Sequence, residues 1–174
     1  IIGLACLASC GVPAPLPHPV PADTPEARRE QDLDYLVATI DAIHPDPFLR
    51  LPEAEFRAQV EQLRAAIPDA EEASFQLGLL RLLASLQDAH CGTFAFEPSA
   101  YPIALPAPAE RFDEGYFLIG CTLDHLDLLG ARLVAIDGHD YSSLIERSAD
   151  LIPAANPHRV ALRAPQLLMS PRIL

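Results

Sequence analysis

The sequence predicts an α+β fold, in which a helical first half precedes a β-rich second half. Three segments between residues 24 and 86 repeat apolar residues at helical spacing, whereas residues 93–136 contain short alternating or continuous apolar runs typical of strands. Hydrophobic residues make up 50% of the 174 positions, so the chain can bury a substantial core. We expect a helical domain over residues 24–90 and a β-rich region over residues 91–174.

The residues before the first helix are expected to form an export signal and a tether. The apolar run over residues 1–8 is far shorter than the roughly 20 residues needed to span a bilayer, and is typical of a signal-peptide remnant. We therefore assign residues 1–10 to that remnant. In residues 11–23 every second position from Pro13 to Pro21 is proline, which favours an extended polyproline II tether of about 3.1 Å per residue. His18 lies in this tether and is expected to be solvated.

The first helix is predicted to begin with Thr24 as the N-cap and Pro25 at the first helical position, and to stop at His44-Pro45. A second helix is predicted over residues 52–67. The third, over residues 74–86, is apolar over a wide arc, which indicates burial on most sides. Three helices with short connections predict a small three-helix bundle.

The second half shows strand patterns over residues 93–96, 115–120 and 131–136. Asp137-Gly138 is typical of a tight hairpin-type turn. Ser143 and Glu146 have capping-box spacing, which predicts one more helix through Leu151.

The charge pattern excludes several classes of function. The chain has 24 acidic residues against 12 arginines, contains no lysine, and carries a formal net charge of −12. A Ser–Lys dyad, a Schiff-base lysine or a Walker-type lysine therefore cannot exist among these residues. An acidic chain without a basic cluster also argues against binding to nucleic acid or to anionic lipid headgroups.

The segment Leu7-Ala8-Ser9-Cys10 resembles the lipobox of bacterial lipoproteins, in which the cysteine thiol takes a diacylglyceryl group. This resemblance implies that Cys10 is lipidated and that the protein is anchored in a bacterial cell envelope, in the periplasm or at the outer membrane. A chance small-residue site before a cysteine, followed by a bare linker, is the alternative.

A series of motifs over residues 30–174 resembles, in order, the N-terminal part of tail-specific-protease-like serine peptidases, a family that includes the tricorn core protease. The matching segments are Asp32-Leu33-Asp34-Tyr35-Leu36 with His44-Pro45, Leu82-Leu83-Ala84-Ser85-Leu86-Gln87-Asp88-Ala89-His90, Gly115-Tyr116-Phe117-Leu118-Ile119-Gly120, Leu129-Gly130-Ala131-Arg132-Leu133-Val134-Ala135-Ile136-Asp137-Gly138 and Ser170-Pro171. The resemblance implies a helical domain, then a β-rich and sometimes PDZ-like region, then a crotonase-like core with the nucleophilic serine. That core is expected beyond Leu174, since Ser170-Pro171 has the pattern of a helix start.

In the branch of the family that uses a histidine base, the base lies in an Asp-Gly-His-Thr-like segment after the N-terminal helices. The matching segment here is Asp88-Ala89-His90-Cys91, so the resemblance implies that His90 is the catalytic base, although Ala89 and Cys91 depart from the pattern. An imidazole can take a proton from a serine hydroxyl near neutral pH. The alternative is a histidine that caps the C-terminal carbonyls of the third helix.

Other roles for nearby residues remain open. Asp88 is expected to be a turn or cap residue, with the triad acid supplied from downstream. One alternative is that Cys91, beside His90, is the nucleophile. Another is that Cys91 forms a disulfide with Cys121. A zinc site from His90, Cys91, Cys121 and His125 lacks the usual ligand spacings, so we expect no metal and no cofactor. His125, His139 and His158 are expected to be exposed.

Two functional classes follow. The first is an exported serine peptidase that acts on a peptide or protein substrate, in which case these 174 residues alone should be inactive. The second is a lipid-anchored binding protein of the same fold that lacks the nucleophile.

Overall fold

The computed structural model describes residues 16–92 and 108–168, and it has the mixed helix and sheet content of an α+β protein. This content confirms the predicted α+β class at that level only. The predicted strand at residues 93–96, the lipobox and the Ser170-Pro171 motif lie outside the described residues.

Three helices build the first half: α1 over Pro25–Ile43, α2 over Glu53–Ala66 and α3 over Glu72–Ser85. The α1 prediction is confirmed in detail, because the Thr24 side chain accepts a hydrogen bond from the Ala27 N–H and the helix ends directly before His44. A short 3-10 helix over Ile67–Asp69 continues α2.

One apolar core lies between these helices. Its fully buried members include Leu33, Phe56, Ile67, Phe75 and Leu83. α3 also supplies Leu80 to a separate contact with Leu151, from the second half of the chain. The wide apolar arc of α3 is explained because this helix packs on both halves.

The tether ends against α1. Tyr35 Oη donates a hydrogen bond to the Leu16 carbonyl, and Gln31 Nε2 donates one to the Val20 carbonyl. His18 is exposed, as expected, with its ring 5.2 Å from that of Tyr35. Residues 16–22 are therefore fixed to the helical domain.

The described part of the second half contains two small antiparallel hairpins. β1 over Ala109–Phe112 pairs with β2 over Gly115–Leu118, and β3 over Ala135–Ile136 pairs with β4 over His139–Asp140. The predicted Asp137-Gly138 turn joins β3 to β4, with both residues at positive φ (49° and 80°). Residues 131–134 do not continue the predicted strand, and contact β2 through an isolated bridge between Phe117 and Arg132.

Two helices follow, α4 over Tyr141–Arg147 and α5 over Pro157–Leu167. The capping-box prediction placed the helix start at Ser143, which is wrong: the Asp140 side chain is the N-cap and accepts from the Ser143 N–H at 2.9 Å. A carboxylate three residues earlier captures that N–H, so the helix begins earlier. α5 was not predicted, although Asn156-Pro157 caps it as Thr24-Pro25 caps α1.

Candidate active site

The site lies where the ends of α1 and α3 meet. α1 ends before His44, because Pro45 disfavours helical geometry at the preceding residue. The His44 backbone N–H still donates to the Ile40 carbonyl at 3.0 Å. The His44 side chain is 6% exposed. Its Nδ1 atom accepts a hydrogen bond from the Asp46 N–H at 3.2 Å.

This contact determines the tautomer of the His44 ring. A backbone N–H can only donate, so Nδ1 must present its lone pair and the proton of the neutral ring lies on Nε2. Nε2 is 3.1 Å from Oδ2 of Asp88. His44 therefore donates a hydrogen bond to this carboxylate from a buried position.

Asp88 lies in the turn that follows α3. Gln87, before it, has a φ of 54°, a left-handed conformation that reverses the chain after the helix. The Asp88 Oδ1 atom accepts the His90 backbone N–H at 2.8 Å, and the Asp88 carbonyl accepts the Cys91 N–H at 3.0 Å. The expected turn role of Asp88 is therefore confirmed.

The same carboxylate also contacts the His90 ring, which the sequence reasoning did not foresee. Nδ1 of His90 is 3.0 Å from Asp88 Oδ1, and the His90 side chain is 78% exposed. Nδ1 is directed to a carboxylate rather than to a carbonyl of α3. Asp88 thus joins two imidazoles, with a buried ring on Oδ2 and an exposed ring on Oδ1.

The charge of Asp88 is stabilised by these contacts. Partial burial would raise the pKa of the carboxyl group. The hydrogen bonds from the His90 backbone and ring, together with the nearby His44 and His90, outweigh burial and lower the pKa of Asp88 below its ordinary value. The group is therefore an ionised acceptor at neutral pH.

A metal site was one of the alternatives that the sequence left open. The potential ligand atoms of His44, Asp88 and Cys91 lie within 4.8 Å of one another, and no other such group occurs in residues 16–92 and 108–168. The four-residue zinc set considered from the sequence is therefore not assembled. The His44 ring argues against metal binding by these three residues. A ligating Nε2 would require a proton on Nδ1, but the Nδ1 atom faces the Asp46 N–H and must accept from it.

Cys91 is 5% exposed, and it forms no disulfide with Cys121. The alternative disulfide is therefore absent from the structure. Burial also limits the access of a substrate to the Cys91 thiol, which argues against Cys91 as the nucleophile. His125, His139 and His158 are exposed, as predicted.

The signal for His44 was present in the sequence, since it precedes a proline at a helix end, but it indicated only a helix stop. Asp88 was identified as a turn residue without its histidine partners. Both roles depend on α1 and α3 ending side by side, which residue spacing does not reveal.

A separate cleft of about 800 Å³ lies in the second half of the chain. The hairpin residues Tyr116 and Leu133 form part of its apolar lining, with Ile145 of α4 and Val160 of α5. The charged residues of the lining are two arginines and three carboxylates: Arg111, Arg132, Asp113, Asp140 and Glu146. Its size is within the range of roughly 300–1,000 Å³ that is usual for ligand sites.

No described helix is long and apolar enough to cross a membrane. Comparisons of the chain with protein-family models, with curated proteins and with solved structures find no match.

Proposed function

We propose that this chain is the N-terminal part of an exported serine-type peptidase of the tail-specific-protease-like kind. In this proposal His90 is the general base. The nucleophilic serine is supplied by sequence that follows Leu174. The substrate is a peptide or protein, hydrolysed through an acyl-enzyme.

The observation that carries this proposal is the contact between Asp88 and His90. A carboxylate that accepts a hydrogen bond from Nδ1 selects the tautomer in which Nε2 holds a lone pair. The exposed imidazole can then take a proton from a hydroxyl group that approaches from outside this chain. We therefore propose Asp88 as the residue that orients His90.

The finer fold assignment belongs to the same proposal. The helices α1, α2 and α3 would correspond to a three-helix bundle, the hairpins with α4 and α5 to the β-rich, PDZ-like region, and a crotonase-like core would follow. The core shared by the three helices and the two antiparallel hairpins support this assignment.

The proposal is tested by the change His90→Ala in the full-length protein. We expect kcat to fall by a factor on the order of 10²–10⁴, the usual contribution of a positioned acid–base residue, with little change in the melting temperature because the ring buries little surface. His158→Ala, at another exposed histidine, is the matched control and should keep full activity. Wild-type kcat in His90→Ala would remove this residue from the catalytic machinery.

The isolated 174-residue chain gives a second test. None of its serines lies in a Gly-x-Ser-x-Gly motif, and no lysine is available to activate one. We expect it to leave casein intact and to resist labelling by a fluorophosphonate probe. Labelling of one serine in this chain would place the nucleophile within it.

The second candidate function is that of a lipid-anchored, non-catalytic binding protein. The cleft of about 800 Å³ favours it, because that cleft is distant in sequence from the His90 loop and needs no catalytic group. The two functions are separated by treating the full-length protein with the fluorophosphonate probe. A peptidase is labelled at a serine after Leu174, whereas a binding protein is not.

A further inference from the structure

The loop that carries His90 is contacted from the second half of the chain. Arg159, in the first turn of α5, donates a hydrogen bond from Nη2 to the carbonyl of Ala89. The two residues are 70 positions apart and the distance is 3.4 Å, which is long for a hydrogen bond but involves a charged donor. Ala89 separates Asp88 from His90, so this contact reaches the centre of the candidate site.

Arg159 differs in its surroundings from Arg57 and Arg64. Arg57 and Arg64 each form ion pairs with two or more carboxylates. Arg159 forms no ion pair with any described residue, and its buried Nε, like that of Arg29, has no hydrogen-bond partner among them. A buried N–H without a partner destabilises the folded state, so stability alone does not account for this arginine.

The backbone of Arg159 is fixed. Its N–H donates to the Asn156 side chain at 3.0 Å, and Pro157 occupies the first turn of the same helix. Farther along α5, Ala164 is fully buried in an apolar cluster of the second half that also contains Tyr141, Ile145, Ile152 and Leu168. The guanidinium group is thus presented to the loop from the capped first turn of α5.

The Ala89 peptide in turn controls the geometry of its neighbours. Asp88 accepts both the His90 backbone N–H and the His90 ring through Oδ1, and these two contacts require one orientation of the intervening peptide. Rotation of the Ala89 carbonyl would separate the carboxylate from the imidazole.

We propose that Arg159 is a positioning residue, which holds the Ala89 carbonyl from α5 and so keeps His90 on Asp88. The importance of this contact for catalysis rests on the proposed function, but the contact itself does not. The position of His90 is therefore determined by both halves of the fold, with His44 holding Asp88 from α1 and Arg159 holding Ala89 from α5.

The experiment compares Arg159→Gln with Arg163→Gln in the full-length protein. Arg163 lies one turn later on α5 and contacts Gln166, so the control makes the same charge change on the same helix. Hydrogen exchange of the His90 and Cys91 amides is measured without substrate. We expect it to be roughly two- to tenfold faster in Arg159→Gln, the effect of losing one hydrogen bond, and unchanged in Arg163→Gln.

Two further readouts separate positioning from a purely structural role. The melting temperature of Arg159→Gln should equal or exceed that of the wild type, because the change removes a buried N–H that has no partner. In the active protein kcat should fall with KM constant, and Arg159→Lys should restore part of kcat. A lower melting temperature with faster exchange throughout α5 would show that Arg159 only stabilises the helix.

The outcomes distinguish this inference from the proposed function. Equal exchange at His90 and Cys91 in the wild type and Arg159→Gln overturns the positioning role, whatever the activity. Faster exchange at these amides in Arg159→Gln supports the positioning role. If the wild-type protein then hydrolyses no peptide, the proposed peptidase function is overturned and the positioning role is not.

Discussion

Nε2 of His44 donates a hydrogen bond to Oδ2 of Asp88 at 3.1 Å, across 44 positions of sequence. This contact joins the end of α1 to the turn after α3. It also leaves the second oxygen of Asp88 to hold His90. The buried histidine therefore supports the exposed one through a shared carboxylate.

The first prediction concerns His44→Ala. Loss of the buried imidazole leaves the Asp46 N–H without its acceptor and removes one donor from Asp88. We expect the free energy of unfolding to fall by roughly 1–3 kcal/mol. Urea denaturation measures it, with His125→Ala as the exposed control, expected to be within about 0.5 kcal/mol of the wild type. Equal stability of His44→Ala and His125→Ala would show that the hydrogen bonds of His44 to Asp88 and Asp46 do not stabilise the fold.

The second prediction is a pH dependence that arises from Asp88. Because the pKa of Asp88 is lower in the folded protein, its stabilising contribution is complete above the ordinary carboxyl value of 3.8 and is lost as pH falls through the folded value. The wild type should thus melt above Asp88→Asn at pH 6, and the difference should shrink below about pH 4. A difference in melting temperature that grows towards acid pH would show that folding raises the pKa of Asp88 instead of lowering it.

The third prediction tests the absence of a metal site. The Nδ1 atom of His44 accepts an N–H, so the ring is held in the tautomer that cannot ligate through Nε2. We expect Zn²⁺ to leave the melting temperature unchanged at neutral pH. A rise of several degrees that Cys91→Ser and His44→Ala both abolish would establish a zinc site at His44, Asp88 and Cys91.

The fourth prediction separates the two apolar clusters that meet at α3. Leu83 lies in the core of the first half, whereas Leu80 packs against Leu151. Either leucine changed to alanine should cost about 2–5 kcal/mol. Hydrogen exchange should rise mainly in α4 and α5 for Leu80→Ala and mainly in α1 and α2 for Leu83→Ala. Identical exchange patterns would show that the chain unfolds as one cooperative unit.

The fifth prediction concerns Cys10, which lies outside the described residues. If Leu7-Ala8-Ser9-Cys10 is a lipobox, mature protein from the membrane fraction begins at Cys10 and carries more than one acyl chain, because a single chain anchors only marginally. Mass spectrometry of the N-terminal peptide measures this, with Cys10→Ser as the control. An unmodified Cys10 thiol in mature protein would reject the lipoprotein assignment.

Local sequence was sufficient for features that depend on adjacent residues. Thr24 and Pro25 determine the start of α1, because a side-chain acceptor and a fixed φ act within one turn. Asp137-Gly138 determines the turn between β3 and β4 in the same way. Asn156-Pro157 is an equally local signal for α5.

Competition between local signals was harder to predict. Ser143 and Asp140 both offer a cap for α4, and Asp140 is the N-cap in the structure. Residues 131–136 have one continuous strand pattern, yet only Ala135–Ile136 pairs as a strand. Hydrogen bonding with distant neighbours decides such cases, so propensity alone does not.

The sequence by itself determined the helical first half, the acidic charge, the absence of lysine and the position of His90 after α3. Only the tertiary structure brought His44 to Asp88 and Arg159 to Ala89, over separations of 44 and 70 positions. Hydrophobic periodicity determines which face of a helix is buried, but not which helix ends become neighbours. That depends on how α3 divides its apolar surface between the core of the first half and Leu151. The packing of both halves on this one helix sets where the turn after it meets His44 and Arg159.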